Sequence, residues 1–231
     1  IDGGPGKAVV DELGQALPFY DRTIEYLVLT HPQADHIGGL PEVLEQYQIG
    51  KIYGTGVRYD TDVYAKFQKM VKDMQIPFEV AQAGTTIDLG DGARFVVLFP
   101  FASFEGKTVD EVNNTSVMGK LTYRNTSALF TGDAETPVLD QLVRTIPSEL
   151  DVDLLKVSHH GSKNGTTREF LEKTSPQFAL ISAGRKNRYG HPNQEVLKLL
   201  EDQHVQIFRT DRQGTISASS NGYNWNLKTQ D

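Results

Sequence analysis

Residues 30–39 read THPQADHIGG, placing His31, Asp35 and His36 within six residues directly behind the apolar run IEYLVLT (24–30). That run is short and rich in β-branched and aromatic residues, the pattern of a buried strand. It predicts a strand ending at His31 that delivers the three polar side chains on the loop behind it. The next segment, LPEVLEQYQ (40–48), spaces Leu40, Val43, Leu44 and Tyr47 at helical intervals and has Pro41 near its first turn.

Working outward, KIYGTG (51–56) predicts another strand, and 60–75 predicts a helix with Val63, Phe67, Met70, Val71 and Met74 on one face. From about 86 to 132 the pattern is strand. TIDLGDGARFVVLFP and SVMGKLTYRNTSALFTGD turn at Asp91-Gly92 and Arg124-Asn125, as hairpins of a meander do. Thereafter helix and strand alternate: a helix near 136–145, the strand DLLKVS, a helix near 166–173, the strand FALISA, a helix near 193–203, then VQIFRT and a hairpin through Gly222. This order predicts an α/β fold, a four-layer αββα sandwich of two mixed sheets flanked by helices. No Pro/Ser-rich linker, charge block or low-complexity segment divides the chain, so a single domain over 1–231 is expected.

Composition narrows the chemistry. With 231 residues and 38% hydrophobic content, the chain can bury a full core. Its longest apolar runs, such as FVVLFPF (95–101), are far shorter than the roughly 20 residues of a membrane-spanning helix. A soluble chain is expected, with any export signal lying outside it. The absence of cysteine excludes disulfides, thiolate metal sites and a cysteine nucleophile, and leaves the compartment open. Any metal must therefore be held by nitrogen and oxygen. A net charge of −7 argues against a surface that gathers nucleic acid by charge alone, although a bound divalent cation would offset this locally. Gly4-Pro5-Gly6-Lys7 lacks the spacing of a phosphate-binding loop, and no G-x-S-x-G elbow supports a serine hydrolase.

Five polar clusters flank predicted strands: His31/Asp35/His36, Asn113/Asn114/Ser116, Asp133 in TGD, His159/His160 in SHHGS and His191 in YGHP. Strand ends on one edge of a sandwich converge, so these clusters are expected to line one cleft. Neutral imidazoles and carboxylates bind Zn²⁺ at about 2.0–2.2 Å and also suit Mn²⁺. Two such ions about 3.5–4 Å apart, bridged by an aspartate, can polarise a phosphoryl oxygen and activate water near neutral pH. Asp133, on a strand-end glycine turn, is the natural bridge. Each residue also has a structural reading. The 31–36 loop could be polar and capping, and Asp133 could stabilise the Gly132 turn. Asn113 and Asn114 could close a loop, and His191 could open a helix before Pro192. Ser162 and Lys163 could simply face solvent. His204, in a polar helix end, is assigned a structural role.

Taken together, the motifs carry a resemblance. THPQADHIGG resembles the H-x-H-x-D-H signature of the metallo-β-lactamase fold, TGD its bridging-aspartate motif and HHGS its later histidine motif. More narrowly, IDGGP, HPxADHIGGLPEVL, NNxS, LFTGD, LLKVSHHGS and NRYGHPNQEVL, in this order, resemble the C-terminal domain of ComEC competence proteins and their free-standing relatives. The likeness spans nearly the whole chain except its start at IDGG, where the family's first strand is expected and absent. It implies the αββα hydrolase fold and, for competence proteins, a nuclease that degrades one strand of incoming DNA. Related domains hydrolyse other phosphodiesters, including phosphocholine esters.

Carried over by motif, the resemblance implies His31 at one metal position, Asp35 and His36 at the other, and Asp133 as the bridge. His160, which precedes Gly161, becomes the ligand of the HH pair, and His159 is left to contact a substrate phosphate. Asp35, His159 and His191 are the implied catalytic residues. Asn113, Asn114, Ser162, Lys163 and Asn187 are the candidate substrate contacts. Gln33 replaces the middle histidine of the general signature, and asparagines stand where another ligand of the first metal would be. An amide oxygen is a weak neutral ligand for Zn²⁺ and better suited to harder ions. One firm Mn²⁺ or Zn²⁺ ion is therefore expected at the second position, with a weak or absent ion at the first. The expected substrate is DNA, and the expected setting is either a membrane channel, which would place the domain outside the cytoplasm, or a free-standing enzyme. The competing class is a catalytically weak or inactive domain that binds nucleic acid or a partner.

Overall fold

A computed structural model describes residues 1–230. The architecture is mixed α/β, as the alternation of patterns predicts, and it divides into two compact units. One comprises Ile1–Ala83 with Pro100–Val117, and the other comprises Gly84–Phe99 with the chain from Met118 onward.

In the first unit, α1 (Ala8–Ala16) precedes β1 (Thr23–Val28). The one-turn α2 (Ala34–Ile37) and α3 (Leu40–Gln46) then connect β1 to β2 (Gln48–Gly54). Next, α4 (Asp62–Asp73) leads to β3 (Phe78–Val80), and the three strands form a parallel sheet in the order β1-β2-β3. Parallel strands need crossovers, and here the helices supply them. The apolar stripes anticipated for α3 and α4 pack on this sheet. Leu40, Val43, Leu44 and Phe67 join Leu27, Leu29, Ile37 and Ile52 in one buried cluster.

Two boundaries differ from the sequence pattern. The helix ends at Gln46 because Gln48 already pairs beside Thr23, so Tyr47 is a buried cap. On α4, Tyr64 takes a buried place, whereas Met74 lies beyond the last helical residue and is 49% exposed. α1 and the three-residue β3 add to the predicted elements.

The second unit is built on a seven-stranded sheet ordered β10-β9-β8-β7-β6-β5-β4. Its antiparallel half is the predicted meander: β4 (Thr86–Gly90), β5 (Ala93–Phe99), β6 (Met118–Tyr123) and β7 (Thr126–Phe130). Asp91, Gly92 and Arg124 have positive φ in its turns. The other half is parallel, with β8 (Leu154–Lys156), β9 (Phe178–Ile181) and β10 (Gln206–Arg209) reached through α5 (Thr136–Thr145), α6 (Arg168–Thr174) and α7 (Gln194–Asp202). After the short α8 (Thr210–Gln213), β11 (Thr215–Ser220) and β12 (Trp225–Gln230) form a separate hairpin.

The register of the parallel half fixes what its carboxyl edge presents. Phe130, Lys156 and Leu180 lie side by side on β7, β8 and β9. Loops leaving that edge carry Asp133, His159 with His160, and Ser182 onward. Functional loops gather at this end of parallel sheets because all the strands point the same way. Among the described residues no helix is long and apolar enough to cross a membrane.

Candidate metal centre

The first unit holds His36 through Asp2, 34 residues earlier in the chain. The Asp2 carboxylate accepts from the Thr30 backbone N–H and from Thr30 Oγ1, each at 2.8 Å, and its Oδ2 lies 2.8 Å from His36 Nδ1. Burial would push the Asp2 carboxyl up. The hydrogen bond to His36, the charges of His36 and His31, and the Thr30 N–H overcome this and hold it below the ordinary carboxylate value. An ionised carboxylate can only accept, so His36 Nδ1 carries a proton and neutral His36 presents its lone pair on Nε2.

The N-terminal segment reaches this place by lying against Gly38 and Gly39. A Cβ at Gly38 would fall 2.6 Å from the Pro5 carbonyl oxygen, and one at Gly39 2.4 Å from the Gly3 and Gly6 carbonyl oxygens. The glycine pair of THPQADHIGG is thus a steric requirement.

His31 is fully buried, its ring 4.1 Å from that of His36. Its Nδ1 lies 3.1 Å from Thr30 Oγ1 and 3.4 Å from Ser116 Oγ, and its Nε2 lies 3.4 Å from Gln33 Oε1. Ser116 reaches His31 because Val117 N–H donates to the Thr30 carbonyl at 2.9 Å. Asn113, buried, and Asn114, half-buried, sit on the preceding 3-10 turn, Val112–Thr115. Asp35 is exposed on α2.

In the second unit Asp133 is fully buried behind β7, with its Oδ2 3.2 Å from His160 Nε2 and 3.8 Å from His159 Nε2. His160 Nδ1 lies 2.7 Å from the Ser182 carbonyl. His159 Nδ1 lies 3.3 Å from Glu135 Oε1. His159, His160 and Gly161 form a left-handed run with φ of 47°, 55° and 79°. For the two histidines this conformation costs roughly 1–3 kcal/mol each. Backbone bonds hold the run in place: His159 N–H donates to the Gly132 carbonyl at 3.2 Å and Ser162 N–H to the His159 carbonyl at 2.8 Å. Such outliers cluster where side-chain placement matters.

His191 lies edge-on to His159, with ring centres 5.8 Å apart. Burial, followed by the charges of His159 and His160, lowers its pKa below the ordinary value against an opposing pull from Asp133. The Asn187 amide closes the loop beneath it: Oδ1 accepts from His191 N–H at 2.8 Å, and Nδ2 donates to the Gly184 and His191 carbonyls at 2.9 and 2.8 Å. Asn187, expected as a substrate contact, is thus occupied in shaping the loop. Ser162 is buried, with its Oγ accepting from Asn164 N–H at 3.3 Å, and Lys163 beside it is exposed. His204 stands exposed in the turn after α7.

Sequence reasoning missed Asp2 and Glu135. Asp2 has no local signature, since its partners lie about thirty residues away. Glu135 lies two residues behind Asp133 in TGDAE, and that proximity was the available signal.

The donor chemistry fits a divalent cation. The Ser182 carbonyl can only accept, so Nδ1 of His160 is the protonated nitrogen and neutral His160 has its lone pair on Nε2. Nε2 then faces the Asp133 carboxylate oxygen, another acceptor, at 3.2 Å. Two acceptors this close repel unless a proton or a cation lies between them. Histidines whose second nitrogen is held by a carboxylate or a carbonyl are the usual form of metal-ligating histidine. Each unit has its own candidate ligands by chemistry: Asp35 and His36 in the first, and Asp133 with His160 in the second. Nitrogen and carboxylate donors of this kind suit Zn²⁺ or Mn²⁺.

Comparison with known proteins agrees with this chemistry. The chain is 31% identical over 195 residues to ComE operon protein 3 of Bacillus subtilis, covering 84% of this chain and 24% of that protein. It is 27% identical over 195 residues to competence protein ComA of Neisseria gonorrhoeae, covering 84% and 25%. The chain thus spans about a quarter of the length of these curated relatives. Among solved structures, the metallo-β-lactamase fold protein YhfI from Bacillus subtilis superposes with a TM-score of 0.51 at 17% identity, covering 88% of this chain and 81% of that one. The family model described as the metallo-β-lactamase superfamily matches residues 1–185, which include every candidate ligand above. With its fold, its strand-end histidines and this match in agreement, the chain belongs to the metallo-β-lactamase superfamily of metal-dependent hydrolases.

Proposed function

We propose that the chain is a phosphodiesterase acting on DNA, with one divalent ion held firmly by Asp133 and His160 and, as the family motif implies, by Asp35 and His36. The observation that carries the proposal is the placement of His160. Its Nδ1 is tied to the Ser182 carbonyl, and its Nε2 is turned to the Asp133 carboxylate 3.2 Å away. The choice of DNA is supported by the likeness to a protein named for competence.

When bound, the ion supplies Lewis acidity toward a phosphoryl oxygen and activates water. The chain's own groups do the rest. His159 stands beside Asp133 with its Nδ1 against the Glu135 carboxylate, an acceptor for one ring N–H, so that the doubly protonated ring can donate its Nε2–H to a phosphoryl oxygen as charge develops there. His191, its pKa lowered, is neutral near pH 7 and offers a hydrogen bond rather than a fixed charge. Asn187 holds the backbone of His191 through both its N–H and its carbonyl.

We assign a weak ion or none to the position of His31 and Gln33. The His31 ring nitrogens already lie against two hydroxyls and the Gln33 amide oxygen, and that amide is a poor ligand for Zn²⁺. The test is cleavage of single-stranded and duplex DNA with Mn²⁺ or Zn²⁺, with metal content measured on the same preparation. Cleavage that a chelator abolishes is the expected result. Fully loaded protein that binds DNA and never cuts it would instead assign a binding role.

A further inference from the structure

The loop that carries His191 has a feature the hydrolytic chemistry leaves unused. From Lys173 to Gln194 the chain has no carboxylate, in a protein whose net charge is −7. Within this stretch RKNRYGH (185–191) concentrates Arg185, Lys186 and Arg188, all exposed. Between these cations and His191 stands Tyr189, 66% exposed. Tyr20 and Tyr223 are as open, but Tyr189 is set apart by its place between these cations and His191.

The surroundings of Tyr189 organise it. Its ring is nearly parallel to that of His191, at 17° with centres 5.8 Å apart, a separation that leaves the rings offset rather than eclipsed. The Arg188 guanidinium carbon lies 5.0 Å from the Tyr189 ring centre, and Arg188 Nη2 donates to the Tyr189 hydroxyl at 2.8 Å. On the other side His191 meets His159 edge-on at 5.8 Å, and His159 lies 3.8 Å from Asp133. Arg188, Tyr189, His191 and His159 thus lie in successive contact between open solvent and the buried aspartate, with two thirds of the Tyr189 surface left open. The Asn187 amide, bonded to Gly184 and to both ends of the His191 backbone, keeps the loop in this shape.

An exposed aromatic ring flanked by cations, on a stretch of chain without carboxylates, has the chemistry of a platform for unpaired bases. Every base has a face to stack, and the cations follow the phosphates whatever the sequence. In a duplex the base faces are covered by their neighbours, so the ring would have nothing to stack on. We infer that the 185–191 loop is a binding site for single-stranded nucleic acid, in which a base next to the scissile phosphodiester stacks on Tyr189 while Arg185, Lys186 and Arg188 hold the flanking phosphates. This rests on the phosphodiesterase reading of the neighbouring His159 and His191, and it names the substrate form that reading would use.

The test is fluorescence anisotropy with a short labelled oligothymidylate and a duplex of equal length, in a chelating buffer so that nothing is cut. Tyr189→Ala should weaken oligothymidylate binding by about 5- to 100-fold, the loss of one base stack, and change duplex binding far less. Tyr189→Phe, which keeps the ring, should remain close to the unaltered protein, and the duplex binding retained by Tyr189→Ala excludes a general folding defect as the cause. Arg185→Gln with Lys186→Gln should lower the slope of log affinity against log salt by about 0.7 for each phosphate that is no longer neutralised. The inference is overturned if Tyr189→Ala binds the oligothymidylate like the unaltered protein, if both probes weaken equally, or if the unaltered protein binds neither. Hydrolysis of bis(p-nitrophenyl) phosphate by the unaltered, metal-loaded protein reads the phosphodiesterase assignment separately, since that small diester has no base to stack.

Discussion

The Asp2 carboxylate meets the His36 imidazole at 2.8 Å across 34 residues of sequence, joining the start of the chain to a candidate metal ligand. Asp2 fixes both the tautomer and the angle of the ring. Asp2→Asn keeps the size of the side chain but replaces an obligatory acceptor with a group that can also donate. Mn²⁺ or Zn²⁺ affinity, measured by titration calorimetry, should fall by about 10- to 100-fold, the usual effect of removing such a supporting partner. Unchanged affinity would show that His36 is positioned without it.

His191 should titrate below its ordinary value of 6.5, because burial and the charges of His159 and His160 disfavour its protonation. Between the folded-state midpoint and 6.5 the unfolded chain then binds more protons at this group than the folded one. The stability contributed by His191 is therefore fully present above pH 6.5 and is lost as pH falls through the folded midpoint. Histidine ring shifts followed by NMR, assigned with His191→Gln, check the direction. A midpoint above 6.5 would contradict it.

Gly161 is confined both by its φ of 79° and by Pro192, whose Cβ would lie 2.6 Å from an added Cβ. Gly161→Ala should cost about 2–4 kcal/mol of stability in denaturant unfolding, from left-handed strain together with overpacking. Because it follows His160 directly, the same substitution should weaken metal binding. A loss below about 0.5 kcal/mol would mean the turn relaxes freely.

In the first unit, Phe67 is 1% exposed in the cluster between α4 and the parallel sheet. Phe67→Ala should destabilise the protein by about 3–5 kcal/mol. A smaller cost would indicate that the surrounding side chains close over the gap.

The fold was legible where apolar periodicity carries it. The run before His31, the meander around Asp91 and Arg124, and the helix–strand alternation after Asp133 all appear as their patterns predict. The histidine and aspartate clusters were legible because each follows one of those strands. What was not legible lacks a local pattern. α1 carries Gly14 inside it and only half-buries Val9, Val10 and Leu13 against the core, so its stripe is short and weak. The role of Asp2 depends on chain folding over tens of residues, which IDGG alone does not announce. HHGS announces a glycine turn at Gly161, but not that both histidines before it adopt left-handed conformations. Asn187 has the composition of a phosphate contact, and only the closed loop reveals that its amide is occupied.

The central claim, one firm divalent ion on Asp35, His36, Asp133 and His160, is tested most directly by anomalous scattering from crystals grown with Mn²⁺. The account predicts one strong peak about 2.0–2.3 Å from donor atoms of all four residues, with weak or no signal beside His31 and Gln33. Two peaks of equal height, or none in protein that otherwise folds normally, would contradict it.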